Sequence, residues 1–145
     1  MPKINSVGLD DMIAQINRRT TRAIEKIPKM LEAGAAVLVD ALMAEADIMI
    51  AESKVRDLGE PTRSLGELKA SIKADKIKKD KGGLQYIEVY PHGKDSKGVS
   101  NATKGFVLEY GTSRFAGYPW ITTAKEKAAG DIEAAYLEVW QEDLE

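Results

Sequence analysis

Apolar side chains recur at intervals of three and four along the first fifty residues, and a proline stands in the middle of the series at position 28. No other feature limits the fold as much, because such a period commits the N-terminal part of the chain to helices that each bury one face. Leu9, Met12, Ile13, Ile16, Ala23, Ile24 and Ile27 define a first amphipathic helix over residues 8–27. Proline is tolerated in the first turn of a helix but costs about 3 kcal/mol in its interior, so the chain is expected to break at Ile27-Pro28 and start a second helix there. That helix, running to about Glu52, carries a wide stripe through Leu31, Ala35, Leu38, Ala41, Leu42, Ile48 and Met49. With Gly34, Ala35 and Ala36 allowing a neighbour to come close, it reads as the central core helix.

The remainder alternates short elements with turn chemistry. Ser64 and Glu67 have the spacing of a capping box, which starts a helix of a turn or two through Leu68 to Ile72. Residues 72–79 and 84–90 alternate in the manner of strands on either side of Asp80-Lys81-Gly82-Gly83, a hairpin turn in which glycine supplies the positive φ. Ile87 and Val89 then share one face of the second strand, and Tyr86, Glu88 and Tyr90 the other. Pro91 ends it. Residues 91–104 read as a long polar loop, expected to order on assembly, and residues 105–110 as a third strand broken by Gly111. Ile121, Ala124, Ala128, Ile132, Ala135, Val139 and Trp140 mark a last helix from Pro119 to about Asp143. The expected fold is α+β: two N-terminal helices, the second long, a small antiparallel sheet with a hairpin, and a C-terminal helix. At 145 residues, residues 1–145 are expected to form one domain.

Composition removes most chemistry. The chain has no cysteine and a single histidine, His92, so neither a thiolate site nor a multi-histidine metal site can be built. No cofactor is expected. No apolar run approaches the roughly 20 residues of a membrane span, and the opening MPKINSVGLDDM lacks the apolar centre of a signal peptide, so a cytoplasmic folding site is expected. His92 stands in a polar loop, and Ser64, Ser71, Thr112 and Ser113 have no histidine close in sequence, so turn or cap duty accounts for them. Glu109 ends an apolar run beside Gly111, where its carboxylate could accept backbone N–H groups from the following segment. The reading is of a protein without catalytic activity.

The net charge of −2 conceals polarity. Residues 69–81 hold six lysines against Asp75 and Asp80, whereas residues 131–145 hold six acidic residues, Glu138 and Glu142 among them, and no basic one. Two solvated faces, a head-to-tail contact between copies and a phosphate-binding hairpin all fit this pattern. Lysine without interleaved arginine or stacking aromatics is the weaker signature for nucleic acid. Trp120, beside Pro119 at a helix start, reads as a core anchor, while Phe115 and Tyr118 in the preceding loop read as contact residues.

Two motifs in this order resemble the tail-completion, or head–tail joining, proteins of long-tailed bacteriophages and prophages. The first matches at Pro61, Arg63, Gly66, Leu68, Ser71 and Ile72, with Ser64-Leu65 standing where the family has one threonine, a departure expected to lengthen a turn by one residue. The second, Glu-(Phe/Tyr)-Gly-Thr followed by a variable loop and Pro-Phe-(Leu/Ile), matches at Glu109, Tyr110, Gly111, Thr112, Pro119, Trp120 and Ile121, with Trp120 replacing phenylalanine and Thr122-Thr123 replacing a common Arg-Pro. The resemblance implies a structural subunit at the neck of a virion, assembled in the host cytoplasm as a ring, expected to be of six copies, through which DNA passes. Its partners would be itself, connector proteins, and tail-tube or terminator proteins. From the residues, Lys76, Lys78 and Lys79 of one copy are expected to meet Glu138 and Glu142 of the next, with Phe115 and Tyr118 as further contacts. The alternative is a nucleic-acid-binding protein of a mobile element that uses the lysine-rich hairpin.

Overall fold

The structure, a computed structural model, describes residues 6–51, 62–113 and 116–142. Pro61, Phe115 and Asp143 lie outside the described residues, and so does the side chain of Ser64. Helix α1 (Ser6–Ala51) is a single helix of 46 residues with Pro28 inside it. At about 1.5 Å per residue it is roughly 69 Å long. The expected break at Ile27-Pro28 is therefore absent. Helix α4 (Trp120–Gln141) runs antiparallel along α1 and grips it on both sides of the proline: the Lys26 ammonium donates to the Trp140 carbonyl at 2.7 Å, and Gly34 lies under the Tyr136 ring. Tertiary packing outweighs the backbone hydrogen bond that Pro28 forfeits.

Helix α2 (Thr62–Ala70) follows, so Ser64 lies inside its first turn and the Ser64-Leu65 departure falls within helix instead of lengthening a turn. Strands β1 (Ile72–Ala74), β2 (Lys78–Lys79), β3 (Gln85–Tyr86) and β4 (Val89–Pro91) form one bulged hairpin in two ladders. Ile72 pairs with Pro91 and Ala74 with Val89, whereas Lys78 pairs with Tyr86 and Lys79 with Gln85. The register shifts by one between the ladders, which places an extra residue at Lys76-Ile77 and divides the strands expected over 72–79 and 84–90. The turn forms where expected: the Asp80 carboxylate accepts the N–H groups of Gly82 and Leu84, and Gly83 has φ 83°.

The expected third strand is helix α3 (Asn101–Tyr110), capped by the Ser100 hydroxyl, which accepts the Thr103 N–H. Its buried residues are Asn101, Gly105, Leu108 and Glu109, a helical spacing that the run Phe106-Val107-Leu108 disguises. Nor is 91–104 a structureless loop. Asp95, its side chain almost wholly buried, accepts the N–H groups of Lys97 and Val99 and the Lys104 ammonium at 2.7 Å. This knot joins β4 to α3.

The core gathers Leu42, Ala46 and Met49 of α1, Leu68 of α2, Ile72 of β1, Leu108 of α3, and Trp120 and Ala124 of α4. It sits at the C-terminal end of α1. Further toward the N-terminus of α1, Gly34 lies against Tyr136 of α4, and its neighbour Ala35 is buried. A Cβ on Gly34 would stand 2.5 Å from Tyr136 Cε1, whereas one on Gly130 of α4 meets nothing within 4 Å. Two alanine substitutions should therefore act in opposite directions in urea melts. Gly130→Ala should stabilise by up to about 1 kcal/mol through helix propensity, and Gly34→Ala should destabilise by about 1–3 kcal/mol through displacement of the ring. A gain at position 34 would contradict the α1–α4 packing.

Candidate functional site

The junction between α3 and α4 is built from the second motif. Pro119 at the start of α4 offers no side-chain cap, and an uncapped helix leaves its first N–H groups without partners. Glu109, from the end of α3, supplies the missing acceptor. Its Oε2 accepts the Ile121 N–H at 2.7 Å, and its Oε1 accepts the Thr122 N–H at 3.2 Å and a very short bond from the Thr122 hydroxyl. The Glu109 side chain is buried, and a negative charge against the positive end of the helix dipole is favourable there. The Thr122 hydroxyl gives this carboxylate a further donor.

Trp120 is fully buried, as expected of a core anchor, and its Nε1–H donates to the Gly105 carbonyl at 3.1 Å. Packing is tight at Gly105, where a Cβ would stand 3.3 Å from both Trp120 and Pro91. Gly111 closes α3 with φ 78°, its N–H donating to the Val107 carbonyl. Gly117, with φ 82°, lies so close to Gly111 and Tyr110 that a Cβ would meet their backbone at 2.8–2.9 Å. The loop thus folds back beneath α3, where the Tyr118 N–H donates to the Leu108 carbonyl at 2.7 Å. Tyr118 is half-buried against the core cluster, so its expected role as a surface contact is only partly available. Gly105 and Gly117 were not singled out from sequence; their need becomes visible only once Trp120 and the returning loop are placed.

The first motif has a similar structural use. Leu68 and Ile72 are buried in the core, and the Ser71 hydroxyl donates to the Leu68 carbonyl at 2.7 Å. Nothing stands within 4 Å of a Cβ built on Gly66. His92 stacks on Tyr90 with ring centroids 3.9 Å apart and joins the hairpin through its backbone. Among the described residues no group of acidic or histidine side chains is placed to hold a metal ion.

Charge is segregated as the sequence suggests. Lys76, Lys78, Lys79 and Lys81 are exposed on the hairpin, although Lys78 binds Asp75 at 2.8 Å and Glu88 at 3.5 Å within the chain. That pairing raises the Lys78 pKa, while Lys78 and then the Lys76 N–H lower that of Asp75. Glu138 and Glu142 are exposed near the far end of α4. That end lies beside Lys26 and Gly34 of α1, whereas β1, from which the hairpin grows, joins Met49 in the core at the other end of α1. No helix is long and apolar enough among the described residues to cross a membrane.

Two measurements address the carboxylates that flank α3. Glu109→Gln keeps the shape but removes the charge and one acceptor, and should cost about 1–3 kcal/mol of stability in urea melts; an unchanged midpoint would remove Glu109 from its capping role. Asp95 is held down to about 2, chiefly by Lys104 and then by the N–H groups of Val99 and Lys97. Because its folded pKa lies below the unfolded value of about 3.9, its contribution is complete above pH ~4 and disappears as the pH falls toward 2. Asp95→Asn should flatten that part of the stability profile.

Neither a search of curated proteins nor one of solved structures gave a match. A family profile did, and it spans most of α1, the first motif, the bulged hairpin and the Glu109–Thr112 part of the second motif. Matching over residues 10–118, it shows that the chain belongs to the family described as bacteriophage HK97-gp10, putative tail-component.

Proposed function

We propose that this tail component is a non-enzymatic structural subunit that joins the head or neck connector of a phage to its tail, as a homo-oligomeric ring of about six copies through which DNA passes. Membership of the tail-component family over residues 10–118 carries the reading. The charge distribution supports the ring. Basic hairpin and acidic helix end lie toward opposite ends of α1, so a rotation can bring the hairpin of one copy to the α4 of the next and repeat until the circle closes. Lys76 and Lys79 have no carboxylate partner among the described residues and are free to bind Glu138 and Glu142 of a neighbour. Phe115 and the uncovered part of Tyr118 would meet the neighbouring connector, tail-tube or terminator protein. Assembly in the host cytoplasm and residence at the head–tail junction follow from the same reading.

The second reading, a nucleic-acid-binding hairpin, gains one observation: Tyr86 is exposed directly across the ladder from Lys78, where a base could stack. Light scattering over a concentration series, with and without duplex DNA, separates the two. For the ring subunit, an oligomer indifferent to DNA is expected at low salt. Replacing Lys76, Lys78 and Lys79 by glutamate should raise the concentration for half-assembly by about tenfold or more, or about 1.4 kcal/mol. DNA binding by a protein that never forms such an oligomer would overturn the ring in favour of the second reading.

A further inference from the structure

The face of α1 that carries α4 does not end where α4 ends. Gly34 and Glu45 meet Tyr136 and Lys127 of α4, and the intervening Leu38 and Ala41 lie half-buried in phase with them. Traced back at intervals of three and four, the same face continues through Ile27, Ala23, Thr20, Ile16, Ile13 and Leu9. Yet α4 stops at Gln141, beside the stretch of α1 from Lys26 to Gly34. The large apolar residues of the bare stretch, from Leu9 to Ile27, are 37–56% exposed. A stripe this long and free of charge is costly to leave in water.

We propose that a second copy of this chain covers it, the two helices lying antiparallel about a two-fold axis at Arg18. The stripe is symmetric in that register. Across the axis Leu9 faces Ile27 and Met12 faces Ile24, so the four ends are apolar on both copies. Nearer the centre Ile13 faces Ala23, a large residue against a small one. Ile16 faces Thr20, the one polar member of the stripe, and Arg18 itself points away from the seam. An isologous contact needs this self-complementarity, and the regular three–four spacing of the stripe supplies it in the antiparallel direction.

The existing packing favours the same occupant. The partner's helix would run in the same direction as α4 and begin where α4 ends, so that α1 would be covered without interruption, first by its own α4 and then by the neighbour's α1. The negative end of the α4 dipole would meet the positive end of the incoming helix. Together the two stripes hide on the order of 1,000 Å², the scale at which a specific interface becomes stable. The apolar seam itself uses neither the hairpin nor an ion pair, and being two-fold it closes on itself. It stands whether or not the proposed ring forms.

Salt separates the two contacts, because screening weakens the ring's ion pairs but not an apolar seam. In sedimentation equilibrium at about 1 M salt, the wild-type chain should be a dimer. Ile13→Glu combined with Ile16→Glu should raise its dissociation constant by about a hundredfold or more, since an unpaired charge would enter the seam. These residues make little contact within the chain, so at concentrations low enough to keep both proteins monomeric, thermal unfolding of the core should be unchanged. Because the chain has no cysteine, Ile13→Cys and Ala23→Cys variants test the register directly: an oxidised mixture should give disulfide-linked dimers and each variant alone none. A monomer at high salt across the concentration range, a double variant that stays dimeric, or cross-linking within either variant alone would overturn the proposal.

Discussion

The carboxylate of Glu109 fixes where the C-terminal helix begins and which way it points. Pro119 provides no cap, and the loop before it is too rich in glycine to hold a direction by itself. Buried beneath the first turn of α4, Glu109 takes two backbone N–H groups and a hydroxyl from that turn. Hydrogen bonds to a charged group are worth about 1.5–3 kcal/mol each, enough to offset the burial of one carboxylate. Trp120 then enters the core with its ring N–H satisfied by Gly105, and truncating a buried tryptophan typically costs about 3–5 kcal/mol. Once that turn is fixed, α4 can only run back along α1. The Lys26 and Glu45 contacts and the cover over Pro28 all follow from this direction.

The proline shows what the junction accomplishes. On local grounds Pro28 should end a helix, and with nothing packed beside it, it would. With α4 bonded at Lys26 and wedged against Gly34, a break would sacrifice contacts on both sides to recover the cost of one missing hydrogen bond. The longer helix wins because the comparison is made after α4 has docked, and a reading of intervals and propensities cannot include that term.

The parts legible in the sequence are those whose cause is local. The stripes of α1 and α4, the Asp80 turn and the burial of Trp120, Leu68 and Ile72 follow from period, turn chemistry and size. Glu109 could be read as a carboxylate in need of N–H donors, but the donors belong to another element and stay hidden until α4 is placed. The run Phe106-Val107-Leu108 reads as a strand because short apolar runs do not reveal their period. The buried spacing from Asn101 through Gly105 to Leu108 marks a helix, yet Gly105 betrays its burial only when Trp120 and Pro91 close on it. The bulge at Lys76-Ile77 changes the register by one residue and leaves no compositional trace.

The molecule carries unsatisfied surfaces of two kinds. Charge is concentrated on the hairpin and toward the end of α4, and the longest uncovered apolar stripe runs along the first half of α1, with smaller exposed apolar groups at Leu84, along α3 from Phe106 to Tyr110 and at Leu137 and Trp140. Attraction between exposed charges falls off over about 10 Å at ordinary ionic strength and weakens as salt rises, while burial of aliphatic surface keeps its strength or gains as salt is added. Contacts of two such kinds can form and dissolve under different conditions in one small subunit. Separating the two on one scaffold lets association be ordered in time. The 46-residue length of α1 permits this, because it carries one end of its apolar face well clear of the core that the other end completes.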